Sequence, residues 1–183
     1  MKRKKIWLIL ISLSILFFAC SAQVKNLDFE WREFISKEGN FKVNFPKKPE
    51  QTTRTSPLGN GKIQYPKIEV SLPQIYLSVY FSEIEDLRIL NQDETKSYYD
   101  YLKDQTIKLN NSKLISEQDI IIRGKLAREF IESRNDKLVT YRILLINKML
   151  YQLRTEIDDS AKNDTEVKKI SEEFLNSFQI IEK

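Results

Sequence analysis

The sequence predicts an α+β fold, a mostly antiparallel β-sheet with two main helices packed against it. Runs that alternate apolar and polar residues gather in two groups, separated by a helical segment in the middle of the chain. A second helical segment with an apolar stripe closes the chain. Strands and helices therefore do not alternate one for one, as a parallel βαβ sheet would require.

The N-terminus comes first and is expected to lie outside that fold. Lys2, Arg3, Lys4 and Lys5 form a basic block, and an apolar run follows from Ile6 to Ala19, broken only by Ser12 and Ser14. Ala19, Cys20, Ser21 and Ala22 close the segment with small residues. Basic, then apolar, then small is the pattern of a secretory signal peptide. As a helix the apolar run would be about 21 Å long, too short to cross a hydrocarbon core of roughly 30 Å. Residues 1–19 are therefore read as a signal peptide, and the chain as an exported envelope protein of bacterial type.

Phe17-Phe18-Ala19-Cys20 resembles a lipobox, with Ala19 and Cys20 in their usual places and Phe17 where Leu is common. On this reading Cys20 is lipidated, residues 20–28 carry the lipid and a short tether, and acyl chains hold the protein on its membrane. Each buried CH₂ contributes about 0.8 kcal/mol to such an anchor. The alternative is cleavage after Ala22, which would release a soluble periplasmic or secreted protein. A tether from Ser21 to Asp28 reaches about 25 Å, so an anchored domain would sit close to the bilayer.

The remaining residues, 29–183, suit a single α+β domain. Trp31 to Ser36 is expected as a first strand, Lys37-Glu38-Gly39-Asn40 as a turn, and Phe41, Val43 and Phe45 as the apolar face of a second strand that Pro46 and Pro49 stop. Leu58-Gly59-Asn60-Gly61 is a turn joining Gln51–Ser56 to a strand from Lys62, where Pro66 predicts an edge position or a bulge. Ile75 to Phe81 alternates cleanly, with Tyr76, Tyr80 and Phe81 read as strand residues between two packed layers.

The first helix is expected from Glu94 to Leu109, with Asp93 as N-cap, Tyr98, Leu102 and Leu109 near one face, and Asn110-Asn111 as its end. Four strands follow, over Leu114–Arg123, Lys125–Ser133, Leu138–Ile146 and Met149–Glu156, with Asn147-Lys148 as a tight turn. A polar loop runs from Asp158 to Asn163. Asp164 then caps a closing helix whose stripe is Val167, Ile170, Phe174 and Phe178.

Composition narrows the chemistry. The 30 basic and 26 acidic residues become balanced once the four basic residues of the signal are set aside. A neutral domain lacks the cation surplus that phosphate binding needs, so no nucleic-acid partner is expected. There is no histidine, and Cys20 is the sole cysteine. Internal disulfides, Ser-His and Cys-His pairs and His/Cys zinc sites are ruled out. No cofactor, metal site or catalytic residue is expected, and the reading is non-enzymatic.

The candidate sites are few. Asp158, Asp159, Asn163 and Asp164 gather oxygens in one loop, but their spacing is not that of an EF-hand. Glu83, Glu85 and Asp86 could pair as acid and base in a polysaccharide hydrolase only if two of them converged in a cleft. Tyr98, Tyr99 and Tyr101 put aromatic rings on more than one face of the first helix, where an exposed subset could hold a partner. A small-molecule or lipid carrier is the runner-up, and it calls for an enclosed apolar cavity between sheet and helix.

Three stretches resemble PsbP-like domains, the α/β/α sandwiches of the extrinsic photosystem II subunit, a Ran-binding protein and many small bacterial envelope lipoproteins. Phe41-Lys42-Val43-Asn44-Phe45-Pro46 resembles their opening F-x-V-x-F-P strand. Tyr141 to Leu153 resembles their central hairpin, and Phe174-Leu175-Asn176-Ser177-Phe178 the F-L-x-S-F of their final helix. The resemblance reaches from Phe41 to Ile181. It implies an accessory domain that binds or stabilises a partner, here another envelope protein, and it carries over no site residues.

Overall fold

Phe41, Val43 and Phe45 alternate with polar residues along one short strand, and in the computed structural model all three are fully buried. The structure describes residues 29–58, 61–84, 88 and 90–181. Residues 1–28, where the signal peptide, the lipidated Cys20 and the tether are expected, lie outside the described residues. In chain order the elements are β1 (Arg32–Ser36), β2 (Phe41–Phe45), β3 (Glu50–Leu58), β4 (Gly61–Ser71), β5 (Ile75–Glu83), α1 (Gln92–Asn110), β6 (Lys113–Ile122), β7 (Lys125–Arg134), β8 (Lys137–Ile146), β9 (Met149–Asp158), α2 (Thr165–Ser177) and β10 (Gln179–Ile180).

The strands form two antiparallel sheets rather than one. The larger has seven strands in the order β3-β4-β5-β9-β8-β7-β6, and the smaller has three, β1-β2-β10. β10 is an element the apolar spacing did not reveal. Phe178, expected at the end of the helical stripe, instead leaves the helix in an extended conformation at the α2 C-cap. Its ring stays buried at 5.3 Å from that of Phe41, and the next two residues pair with β2.

Pro66 corrects another expectation. β4 is an inner strand, not an edge, and its ladder to β3 runs through the pair Thr53 and Pro66. Pairing to β5 begins only at Lys67 opposite Tyr80, so at Pro66 the strand has a neighbour on one side alone. The turn expected at Leu58-Gly59-Asn60-Gly61 is bracketed by the pair Leu58 and Gly61, while Gly59 and Asn60 lie outside the described residues.

The two helices lie on opposite faces of the large sheet. α2 packs on β2, β5 and β9, and its Val167, Ile170 and Phe174 join Ile68, Leu77, Val79 and Leu153 in the main core. Asp164 caps it by accepting from the amides of Glu166 and Val167. α1 packs on β7, with Tyr99 above Phe130, Val139, Tyr141 and Ile143 in a second core.

Asn91, not Asp93, is the N-cap of α1. Its side chain accepts from the Glu94 amide at 3.0 Å and the Glu94 carboxylate accepts from the Asn91 amide at 3.0 Å, a reciprocal capping box. The helix ends as expected, with Asn111 in the left-handed conformation at φ 48°.

Burial also shapes the response to alkali. Burial pushes the Tyr99, Tyr141 and Tyr151 hydroxyls up from 10 to about 12. The folded state thus keeps protons that the unfolded chain releases between those values, so stability is full below pH 10 and falls as pH rises toward 12. Each tyrosine is expected to cost on the order of 2 kcal/mol across that interval. An alkaline titration following tyrosinate absorbance and near-UV circular dichroism together checks this. Ionisation of the full complement of eight tyrosines near pH 10 with no loss of tertiary signal would contradict it.

Candidate partner-binding face and groove

The three tyrosines of α1 separate by helical position. Tyr99 is fully buried, which corrects its place among the candidate surface residues. Its hydroxyl donates to the Leu126 carbonyl at 3.1 Å and accepts from the Leu145 amide at 2.8 Å, satisfying backbone groups of β7 and β8. The expected apolar face through Tyr98, Leu102 and Leu109 is likewise corrected, since Leu109 is 83% exposed. The face turned to the sheet carries Tyr99, Lys103 and Asn110, whose polar atoms are hydrogen-bonded there, with Leu102 and Ile107 packed against the same core.

Tyr98 and Tyr101 remain outside that core. Their rings stack with centroids 6.5 Å apart, and Tyr101 is 58% exposed. Burial raises the Tyr98 hydroxyl somewhat above its ordinary value. At about 100° per residue, Tyr98 lies roughly 40° from Leu102, whereas Tyr101 lies about 100° from both Leu102 and Asp100, on the side of α1 turned away from the sheet.

Ion pairs hold α1 in that orientation. Arg128 of β7 binds Asp100 on the helix at 2.5 Å and Asp119 on β6 at 2.8 Å, and Lys103 binds Glu117 at 2.5 Å. Burial works to raise the Asp119 carboxyl, but the hydrogen bonds and charges of Arg128 and Lys96 outweigh it and hold the group low. At the other end of α1, the fully buried Glu132 carboxylate accepts from Asn110 (2.9 Å), Ser112 (2.6 Å) and Tyr141 (3.1 Å).

β9, β5, β4 and β3 form the other half of the sheet, away from the β7 strand on which α1 packs. Cations and tyrosines roof this half in place of a helix. Lys67 Nζ lies 5.3 Å from the Tyr76 ring and 6.0 Å from that of Tyr80, and the Arg54 guanidinium lies 5.7 Å from the Tyr80 ring. Glu69 accepts from Tyr76 and pairs with Lys67. Burial alone would raise the Tyr80 hydroxyl. Arg154, Lys67 and the hydrogen bond from Arg54 reverse this and lower it.

Glu83 is exposed, and Glu85 and Asp86 lie outside the described residues. In the polar loop Asp164 caps α2, Asp159 pairs with Lys162 at 2.9 Å, and Asp158 lies 3.9 Å from Lys137. Among the described residues no three metal-ligating side chains gather.

A feature that sequence reasoning missed lies on the opposite face. α2 covers β5 and β9 but leaves the ends of β6, β7 and β8 open, and a groove of about 780 Å³ forms there against β10. Ile122, Leu144, Ile146, Met149 and Ile180 line it, with Arg123 and Lys125 at the β6–β7 turn. It is open rather than the enclosed cavity expected of a carrier. Arg123-Gly124 between two strand-like runs was the available sequence signal, since both residues take positive φ, 48° and 77°.

Comparison with solved structures shows a PsbP-like fold. The cyanobacterial PsbP of Synechocystis sp. PCC 6803 superposes with a TM-score of 0.57 at 12% identity, covering 86% of this chain and 95% of that one. The Ran-binding protein Mog1p of Saccharomyces cerevisiae gives 0.48 at 10% identity, covering 84% and 97%. A protein of unknown function from Pseudomonas aeruginosa, a putative regulator, gives 0.40 at 11% identity over 65% and 93%. No family model matches the chain, and no curated protein matches it.

Proposed function

We propose that this chain is an envelope lipoprotein, anchored through Cys20, whose domain works without catalysis by binding another envelope protein through the Tyr98–Tyr101 flank of α1. The stacked tyrosine pair, with Tyr101 exposed and Tyr98 half-buried, carries the reading. Two large rings held at one spot, with few rotatable bonds each, give contact area at low entropic cost, and tyrosine is enriched where partners bind. The PsbP-like fold agrees with the accessory role that the sequence resemblance implies.

Two variants of the full-length chain test the two halves of the proposal. Cys20→Ala is expected to leave the membrane fraction, and its retention there with unchanged mass and migration would remove the anchor. Tyr98→Ala/Tyr101→Ala is expected to stay on the membrane and lose at least about tenfold of its partner in a crosslinked pull-down, as loss of two central aromatic contacts implies. Equal capture by the variant would remove the tyrosine flank as the docking site.

A further inference from the structure

We infer that the groove at the open ends of β6, β7 and β8 binds a single-chain anionic amphiphile, its acyl chain along the apolar floor and its acidic head at Arg123 and Lys125.

The floor is aliphatic and continuous with the main core. Leu144 is fully buried, while Ile122, Ile146, Met149 and Ile180 are partly buried and pack against that core from the groove side. Tyr151 is the aromatic residue of the floor, and its hydroxyl is already committed to the Gly39 carbonyl at 2.8 Å. No side chain of the floor therefore presents a free polar group to orient a sugar or a nucleoside. A volume of about 780 Å³ lies within the ordinary range of small-ligand sites. β8 and β9, which carry most of the floor, are inner strands with no free ladder edge, while β6 and β10 are the last strands of their sheets. The floor is apolar, and Asn40, Asn147 and Lys148 complete the groove's lining around it.

The rim supplies charge. Arg128, Arg142 and Arg154, elsewhere on the same sheet, each hold a carboxylate. Arg123 and Lys125 have no ion-pair partner among the described residues, and both are exposed at the groove mouth. Glu83 is the acid at that mouth. Arg123 moreover occupies φ 48° at the first position of a two-residue turn, a conformation that asparagine or glycine adopts at less cost. Arginine is thus placed where the fold alone would favour another residue. A guanidinium and an ammonium beside an aliphatic trough match a carboxylate or phosphate at the end of an alkyl chain.

Envelopes carrying the full-length chain, exposed briefly to a photoactivatable, clickable palmitate analogue, provide the test. Adducts are mapped by peptide mass spectrometry in the parent chain and in Arg123→Asn/Lys125→Ser. Labelling is expected on peptides spanning 118–125 or 144–151, and the double variant is expected to lower it at least fivefold. Arg123→Asn suits the turn, so pulse proteolysis should find the variant at least as resistant as the parent, which separates lost binding from lost folding. Competition by dodecanoate would identify a free alkyl carboxylate as the occupant, and competition by a lysophospholipid a lipid with a phosphate head. No labelling of these peptides, a fall of less than fivefold in a folded variant, or competition by neither amphiphile would overturn the assignment.

Discussion

Replacing Phe41 with alanine is expected to lower stability by about 3–5 kcal/mol, the range for emptying a fully buried aromatic site. The ring has 0% exposure and lies within 5.3–6.3 Å, centroid to centroid, of Phe34, Phe81, Tyr151 and Phe178. These neighbours come from the small sheet, the large sheet and the segment after α2, so the cavity would open where the layers meet. Little local collapse can close it. A Cβ added at Gly39 would stand 2.6 Å from the same ring, which shows how completely the site is filled. With a total stability of about 5–15 kcal/mol typical of such domains, the variant should be largely unfolded at modest urea concentrations. Equilibrium urea melts followed by circular dichroism check this, and a loss below about 1 kcal/mol would contradict the packing described.

Glu132→Leu is expected to cost about 3 kcal/mol for a different reason. Leucine fills similar space, so packing changes little, but Asn110, Ser112 and Tyr141 would each lose an acceptor in a buried site. Two of these donors terminate α1, so the loss should fall locally as well as globally. Amide exchange over the last turn of α1 should speed up more than exchange in α2. Glu132→Gln keeps one acceptor oxygen and should lie between the two. If Glu132→Leu melts with the parent, the carboxylate does not organise the end of α1.

Alternation made the strands legible, as Phe41, Val43 and Phe45 or Ile75, Leu77, Val79 and Phe81 illustrate. Each such run buries one face, so residue type reports directly on position. α1 was harder because the face it buries is not its most apolar one. Tyr99 and Lys103 are buried through hydrogen bonds and ion pairs to residues tens of positions away, which no local pattern encodes. The separation of Tyr98 and Tyr101 from Tyr99 follows from those same distant partners. β10 is two residues long and exists because β2 offers it an open edge. The groove was hidden for a related reason. Its floor residues read as ordinary core, and only the limited reach of α2 across the sheet leaves them uncovered.

A photo-crosslinking amino acid at position 101 of the full-length chain, compared with the same residue at exposed position 173 on α2, tests the partner-binding role most directly. A discrete adduct with one envelope protein from position 101, and none from position 173, is the expected result. Adducts from neither position, from both equally, or from position 173 alone would contradict docking through the tyrosine flank of α1.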